Sequence, residues 1–257
     1  MRRRTSAVLA LAALGAATLA LAGPATAITH GAPDGSAHPY VGGLVADTAY
    51  SDGTWIYCSG TLIAPQVFLT AAHCGEGGDG RVRVTFASAY HDGDAVYAGT
   101  FHADPAYPGP TSNPHDAAVV LLDQVVDGIT PAELPRAGSL SGLAGSQTFT
   151  SVGYGAYRVT KAHGSGGHSF LYDDTRGVAT GTLNAVNKNW LRISMNPSTG
   201  NGGTCYGDSG GPNFLGRSNT VAATTISGDS TCRSTNVDYR MDSPAARDFL
   251  ADYVTLP

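Results

Sequence analysis

The sequence has no surplus of positive charge. Charged residues make up only 14 % of it, and 15 lysines and arginines stand against 20 aspartates and glutamates, for a net charge of −5. Nothing in this composition indicates nucleic acid binding, which requires a basic patch. The eight histidines are scattered, and the four cysteines include no Cys-x-x-Cys pair. Metal sites need closer ligand spacing, so we expect no metal, no cofactor and no nucleic acid partner.

Long hydrophobic runs are also missing, apart from one near the start. The string Arg2-Arg3-Arg4 precedes an apolar stretch over 7–22, and Ala25-Thr26-Ala27 has the small-x-small pattern of a cleavage site. This order predicts a secretory signal peptide over residues 1–27. A membrane anchor is the alternative, but the stretch is short for a span. Cleavage would remove three arginines and shift the net charge from −5 to −8. We expect a secreted, extracellular protein with no membrane association.

The rest of the chain is rich in turn residues and short β-prone runs. Its 34 glycines interrupt the sequence often, and many short strands with frequent turns indicate an all-β sandwich or barrel. The polar stretch over Lys161–Arg176 predicts a surface loop. One helix is predicted at the end, because Ser243 can cap it, Pro244 suits its first position, and apolar residues recur at helical spacing up to Val254.

Three segments carry candidate chemistry. His73 lies in Leu69-Thr70-Ala71-Ala72-His73-Cys74, Asp116 precedes the apolar run Ala117–Leu122, and Ser209 lies in Gly207-Asp208-Ser209-Gly210-Gly211-Pro212. A serine between glycines can be presented on a tight turn beside exposed backbone N–H groups, as an attacking hydroxyl and a developing oxyanion require. The chain order His, Asp, Ser is that of the chymotrypsin-type triad.

Other readings of these segments are weaker. Gly207-x-Ser209-x-Gly211 also fits the α/β-hydrolase elbow, but that fold needs a histidine after the serine, and none follows Ser209. His91, His102 and His115 are rival bases that surface positions would explain. His115 is next to Asp116, but neighbouring residues on a strand point to opposite faces. Asp123 is a weaker candidate for the acid because it follows the apolar run.

The four cysteines indicate disulfides in an exported chain. Their number allows three pairings. We expect Cys58–Cys74 and Cys205–Cys232, because each bond would brace one of the two segments that carry His73 and Ser209.

With these segments in order, the chain resembles the trypsin/chymotrypsin-type serine proteases, and most of all their secreted bacterial members, over nearly all of Ile28–Val254. Cys58–Ile63 with Leu69–Cys74, Asp116 with its apolar run, Gly153-Tyr154-Gly155 and Cys205–Pro212 carry the resemblance. It implies two packed antiparallel six-stranded β-barrels and a C-terminal α-helix. We place the barrels in residues 28–135 and 136–257, with the site in the cleft between them.

The resemblance also implies roles for individual residues. Ser209 would be the nucleophile, His73 the general base and then acid, and Asp116 the group that orients the imidazole. The backbone N–H groups of Gly207 and Ser209 would form the oxyanion hole. Asp208 would pair with a new amino terminus at Ile28, so that signal cleavage after Ala27 also activates the protein. Here Ile28-Thr29-His30-Gly31 has Thr-His where relatives have Val-Gly or Val-Asn.

The same resemblance places four residues at the substrate. Gly203, six residues before Ser209, would be the pocket floor, where trypsin-like members carry aspartate. Ser227 and Gly228 would offer backbone to the substrate strand, and Val237 would shorten the pocket. This set favours an apolar or uncharged residue before the scissile bond. Because Ser227 replaces a tryptophan, the alignment leaves one alternative, in which Asp238 faces the pocket and selects a basic residue.

The leading prediction is therefore a serine endopeptidase that acts through an acyl-enzyme on a protein or peptide substrate. We expect a monomer, and a protein inhibitor is a further expected partner. The rival prediction from another class is a non-catalytic binding module on the same scaffold, although such proteins usually lose a triad residue or a key glycine that this chain keeps.

Overall fold

The computed structural model describes residues 28–75, 80–109, 115–161 and 167–257, so the predicted signal peptide lies outside the described residues. Fifteen strands and one α-helix occur in the described part of the chain. The strands of the first half are β1 (Ala32–Pro33), β2 (Val41–Val45), β3 (Ile56–Ala64), β4 (Val67–Thr70), β5 (Arg81–Thr85), β6 (Tyr97–Ala103) and β7 (Ala118–Leu122). Those of the second half are β8 (Thr148–Gly153), β9 (Arg158–Lys161), β10 (His168–Leu171), β11 (Gly177–Val186), β12 (Trp190–Ser194), β13 (Pro212–Leu215), β14 (Val221–Gly228) and β15 (Thr235–Arg240).

The first barrel is closed and antiparallel, with the strand order β2-β3-β4-β7-β6-β5. Its interior is filled by buried apolar side chains, including Leu44, Phe68, Val84, Phe101 and Val120. The β-branched and aromatic residues among them pack well between pleated strands, and burying all of these apolar side chains away from water is the main stabilising contribution.

The second barrel has the order β11-β12-β15-β14-β13-β8 and is closed by pairing of β8 with β11. Strand β11 shows why the ring has an inside, because buried and more exposed residues alternate along Gly177–Leu183. Strand β1 adds to the outer edge of β11. The predicted all-β fold of two six-stranded barrels is therefore confirmed.

Helix α1 (Pro244–Leu250) follows the second barrel, as predicted. The Ser243 hydroxyl accepts a hydrogen bond from the Ala246 N–H, which is one of the unpaired donors of the first turn. Phe249 and Leu250 are buried between the barrels. No helix in the described ranges is long and apolar enough to cross a membrane.

The prediction of a surface loop over Lys161–Arg176 was wrong at His168–Leu171 and at its buried end, and residues 162–166 of it lie outside the described residues. His168–Leu171 is strand β10, which pairs with β9, and Arg176 is only 1 % exposed. The Arg176 guanidinium donates to the Asp34 carboxylate at 2.8 Å and to the Val41 carbonyl at 2.9 Å. A buried charge is tolerated when it is paired and fully hydrogen-bonded, and here it ties the second barrel to the start of the first.

Candidate active site

His73 and Asp116 meet at one end of the first barrel. His73 lies in the short 3₁₀ turn Ala72–Cys74 that follows β4, and Asp116 lies two residues before β7. Because β4 and β7 pair with Thr70 opposite Ala118, the two segments leave the sheet side by side. The carboxylate of Asp116 lies 2.8 Å from His73 Nδ1 through Oδ2 and accepts from the His73 backbone N–H at 3.0 Å through Oδ1.

A disulfide and a hydrogen bond to a buried carboxylate keep this turn in place. The predicted disulfide Cys58–Cys74 is present and joins the residue after His73 to β3. The carboxylate of Asp116 is almost fully buried, whereas a quarter of the His73 side chain is exposed. The imidazole is therefore held at Nδ1 by a buried acceptor, while its other edge faces the cleft.

The neighbouring residue His115 belongs to a different pair. Its Nδ1 lies 2.8 Å from Oδ2 of Asp104, which follows β6. The first barrel thus contains two His–Asp pairs of the same length. His73 lines the cavity that contains Ser209, whereas His115 and Asp104 line a different one.

Ser209 lies on the turn between the second disulfide, Cys205–Cys232, and strand β13. Gly207 has φ +94°, which only glycine adopts without strain. A Cβ at Gly207 would also lie 2.9 Å from the Cα of Gly155. Within the described ranges, the backbone N–H groups of Gly207 and Ser209 have no hydrogen-bond acceptor. They are free to donate to a ligand beside the Ser209 hydroxyl.

Ser59 on β3 clamps this turn from the first barrel, and the sequence analysis missed it. Its N–H donates to the Ser209 carbonyl at 2.8 Å, and its hydroxyl donates to the Gly207 carbonyl at 3.0 Å. The same hydroxyl accepts from the Tyr154 N–H at 3.0 Å. Ser59 has no recognisable motif of its own, because its role depends on contacts with residues 95 to 150 positions away.

Asp208 points away from the cleft into the second barrel and is fully buried. Its carboxylate accepts from the Gly155 N–H at 2.8 Å and the Cys205 N–H at 2.7 Å. Burial raises the pKa of Asp208 to about 7, although these two hydrogen bonds lower it. A Cβ at Gly153 or Gly155 would lie within 2.4 Å of this carboxylate, which explains both glycines of Gly153-Tyr154-Gly155.

The segment that begins at Ile28 is already docked beside the Ser209 turn. Ile28 is fully buried, and Thr29 exchanges two backbone hydrogen bonds of 3.0 Å with Gly203. In the uncleaved chain the Ile28 nitrogen is an amide, so the predicted ion pair with Asp208 requires cleavage before Ile28. The carboxylate has no cation beside it among its hydrogen-bond partners.

His73 and Ser209 line the same cavity, although no hydrogen bond joins their side chains in the described part of the chain. Hydrogen bonds of this kind are often long before substrate binds. The cavity has a volume of about 320 Å³ and runs along the edge of β14. We call it the strand-edge cavity; its walls are Thr204, Cys205, Tyr206, Cys232 and Thr225–Asp229.

Two of the four residues expected at the substrate line this cavity, and two do not. Ser227 and Gly228 line it. Gly203 and Val237 do not, and the buried Met195 side chain lies directly against Gly203, where a Cβ would meet its Cγ at 2.3 Å. The sequence analysis missed Met195, because it reaches this place from the end of β12 and has no local signature.

Two aspartates near this cavity have opposite environments. For Asp229, which lines it, burial raises the pKa, but hydrogen bonds from Thr231, Thr235, Arg233 and Ser234 outweigh burial and hold the pKa below its usual range. Asp238 is fully buried in the second barrel, accepts from Asn213 Nδ2 at 2.8 Å, and burial raises its pKa well above the usual range. Asp238 thus does not face the cavity, which removes the basis for a preference for basic residues there.

Metal binding has little support at this site. Among the described residues, the cluster with metal-ligand geometry is Cys58, His73 and Cys74. Its two sulfurs are bonded to each other, so neither can act as the thiolate that a metal requires.

Comparison with known proteins places this geometry in context. The model of the Trypsin family matches residues 29–248. No curated protein is significantly similar in sequence. Among solved structures, HBP is 17 % identical over 90 % of this chain and 98 % of its own, with a TM-score of 0.67. HL collagenase is 19 % identical over 88 % of this chain and 95 % of its own, with a TM-score of 0.63. At such identities these likenesses show the fold.

Proposed function

The chain belongs to the trypsin family, and from that premise we propose that it is a secreted serine endopeptidase with His73, Asp116 and Ser209 as its triad. One observation carries the proposal. His73, held by the buried Asp116 carboxylate, and Ser209, with two unpaired N–H groups beside it, line one cavity between the barrels. Nucleophile, base, orienting acid and oxyanion donors are the parts that acyl transfer needs.

The proposed reaction begins when His73 Nε2 takes the Ser209 proton as Oγ attacks the peptide carbonyl. The N–H groups of Gly207 and Ser209 stabilise the oxyanion, and His73 then gives the proton to the leaving amine. Water activated by His73 hydrolyses the acyl-enzyme and restores Ser209. Asp116 keeps the proton on Nδ1 and stabilises the imidazolium, which its short contact with His73 supports.

Activation follows from the buried Asp208. We propose that cleavage after Ala27 frees the Ile28 amine, which then pairs with the Asp208 carboxylate. Two contacts support this pairing. Thr29 is hydrogen-bonded to Gly203, and the Asp208 carboxylate accepts from the N–H of Cys205, which lies close to Gly203 in the chain. N-terminal sequencing of secreted protein tests this step, because a start well before or after Ile28 would be incompatible with it.

The residue before the scissile bond would occupy the strand-edge cavity, paired with the backbone of Ser227 and Gly228. We propose an apolar or uncharged residue of moderate size. Met195 lies against Gly203, and the carboxylate of Asp229 already accepts hydrogen bonds from four nearby residues. Neither feature favours a long, positively charged side chain.

The same proposal covers the barrel boundary, the location of the protein and its partners. We place the barrel boundary at residues 135 and 136, between β7 and β8. The two disulfides support an oxidising, extracellular location. Protein or peptide substrates follow from the family, and we propose a monomer that protein inhibitors can bind, with no cofactor.

The experiment compares wild type and Ser209→Ala, each secreted, on a denatured protein mixture, with every cut identified by mass spectrometry. Cuts that wild type makes and Ser209→Ala does not are the expected result, and the residues before them report on the strand-edge cavity. If correctly processed, folded wild type makes no cuts, the non-catalytic binding module becomes the better description.

A further inference from the structure

A second cavity borders Ser209 on the side away from the strand edge. It has a volume of about 560 Å³, and His73, Tyr206 and Ser209 are common to both cavities. Four tyrosines and Asp52 lie on its walls, and we call it the tyrosine groove: Tyr50, Tyr57, Tyr172, Tyr206 and Asp52. When the acyl side of a substrate occupies the strand-edge cavity, the part of the substrate after the scissile bond enters this groove. The role that we assign to the groove therefore rests on the proposed function.

Two of the four tyrosines, Tyr172 and Tyr206, are held by packing against other side chains. Tyr206 is about half exposed, and its ring packs edge-on against Phe170 of β10 with centroids 4.6 Å apart. Phe170 and Tyr172 in turn pack against the buried Cys205–Cys232 disulfide. Rings held in this way offer flat faces to a ligand with little loss of side-chain entropy on binding.

The groove also carries the negative charge of Asp52, whose carboxylate accepts hydrogen bonds through one oxygen. Asp52 is exposed, and only its Oδ1 is engaged, by the Thr54 N–H at 3.1 Å and the Thr54 hydroxyl at 2.7 Å. Its Oδ2 has no partner within the described ranges. Burial raises the pKa of Tyr172, and the charges of Asp208 and Asp52 add to the increase.

No described residue that lines the groove is a lysine or arginine. Arg81 borders an adjacent cavity together with Tyr50 and Tyr57. Both of its terminal nitrogens are bonded to the Asp123 carboxylate. Among the described residues that line the groove, no lysine or arginine is therefore placed to pair with Asp52.

We infer that the tyrosine groove binds a basic side chain, arginine above all, from the substrate segment that follows the scissile bond. A guanidinium can stack on tyrosine faces and reach a carboxylate at the same time, which an apolar or acidic side chain cannot do. The preference would add to the choice made in the strand-edge cavity. It would be set by residues of the first barrel, by Tyr172 directly after β10 and by Tyr206 on the Ser209 turn.

The test uses a peptide series with one fixed acyl-side sequence and Arg, Ala or Glu at each of the three positions after the scissile bond. We expect kcat/KM for the best Arg peptide to exceed that of its Ala counterpart about five- to tenfold, and the ratio to fall with added salt. Asp52→Asn should reduce the ratio to about twofold, and Asp52→Lys should make the Glu peptide the better substrate. A purely structural role for Asp52 would not reverse the preference.

Asp47→Asn is the matched control, because Asp47 is 97 % exposed, lies on the same loop and is absent from the groove lining. Its Arg-to-Ala ratio should equal that of wild type. Binding of the same peptides to Ser209→Ala is measured in parallel. If wild type cuts none of them, the proposed function fails, while the binding ratio still decides the inference. Equal cutting, or equal binding, of Arg, Ala and Glu peptides would overturn the inference about the groove.

Discussion

The two barrels differ in what fills their interiors beneath the functional groups. The first barrel is filled with apolar side chains such as Leu44, Phe68 and Phe101, and it holds His73 and Asp116 on its rim. The second barrel has an apolar cluster at Phe149, Leu191 and Ile193, but also carries buried polar groups. Those groups include Asn213, Asn236, Asp238 and, under the Ser209 turn, Asp208.

This difference separates two ways of holding a reactive group. An apolar cluster such as that of Leu44, Phe68 and Phe101 fixes geometry by packing, and these three side chains carry no ionisable group. A buried carboxyl group fixes geometry through hydrogen bonds, and the balance between its charged and neutral forms changes with pH. We therefore expect the first barrel to control the chemical step, and the second barrel to make stability depend on pH and on processing.

The largest expected effect comes from the first barrel. Asp116→Asn keeps the shape of the side chain, but its amide group can place a donor against His73 Nδ1 and favour the wrong tautomer. We expect kcat to fall by about 10⁴-fold, as in other Ser-His-Asp sites. The measurement is the hydrolysis of a peptide that spans one of the cut sites found in the denatured protein mixture.

Asp104→Asn is the control for this substitution. Asp104 makes an equally short contact, to His115, but lies outside both cavities at Ser209. We expect its kcat to stay within about threefold of wild type, the range for changes that do not touch the reacting groups. A larger loss in Asp104→Asn than in Asp116→Asn would mean that His115, and not His73, is the base, and equal losses would mean that the effect is not specific to the His73–Asp116 pair.

The sequence predicts those features that local strings specify. The barrels, the disulfides and the capped helix are confirmed because turns, cysteines and caps act over a few residues. Ser59, Met195 and Asp52 were missed, because each matters through partners far away in sequence, and a buried serine or methionine carries no motif. The roles of His73, Asp116 and Ser209 stay predictions, although the fold brings their segments to one cleft.

The second effect concerns Asp208 and compares a chain that starts at Ala27 with one that starts at Ile28. In the unprocessed chain the pKa of Asp208 is about 7, above the usual value in the unfolded chain. The folded state then binds a proton that the unfolded state releases, so stability falls as pH rises from about 4 to 7. The cost at pH 8 is roughly 4 kcal/mol at most, since each pKa unit corresponds to about 1.4 kcal/mol.

Processing should cancel this loss. A protonated Ile28 amine favours the charged carboxylate, so the chain starting at Ile28 should be the more stable of the two at pH 8, while the two chains converge near pH 4. Urea unfolding at both values of pH measures the difference. Identical pH profiles would show that the Ile28 amine does not reach Asp208.

The smallest expected effect tests the interior of the second barrel through Asp238→Asn. One oxygen of Asp238 accepts from Asn213, and the other is buried without a partner in the described part of the chain. Because burial raises the pKa of Asp238 well above its usual range, the folded state holds its proton more tightly than the unfolded state. Stability therefore falls as pH rises above about 4. Asparagine has the shape of the protonated acid and removes that dependence.

We expect Asp238→Asn to match wild type near pH 4 and to exceed it at pH 8 by about 1–3 kcal/mol, the usual penalty for a poorly satisfied buried polar group. Asp123→Asn in the first barrel is the matched control, because Asp123 is exposed and its hydrogen bond with Arg81 lowers its pKa. Its effect should have the opposite sign, with stability lost where the wild-type carboxylate is charged. If Asp238→Asn shifted stability equally at both values of pH, the second barrel would depend on the shape of this side chain and not on its proton, and the contrast between the two interiors would disappear.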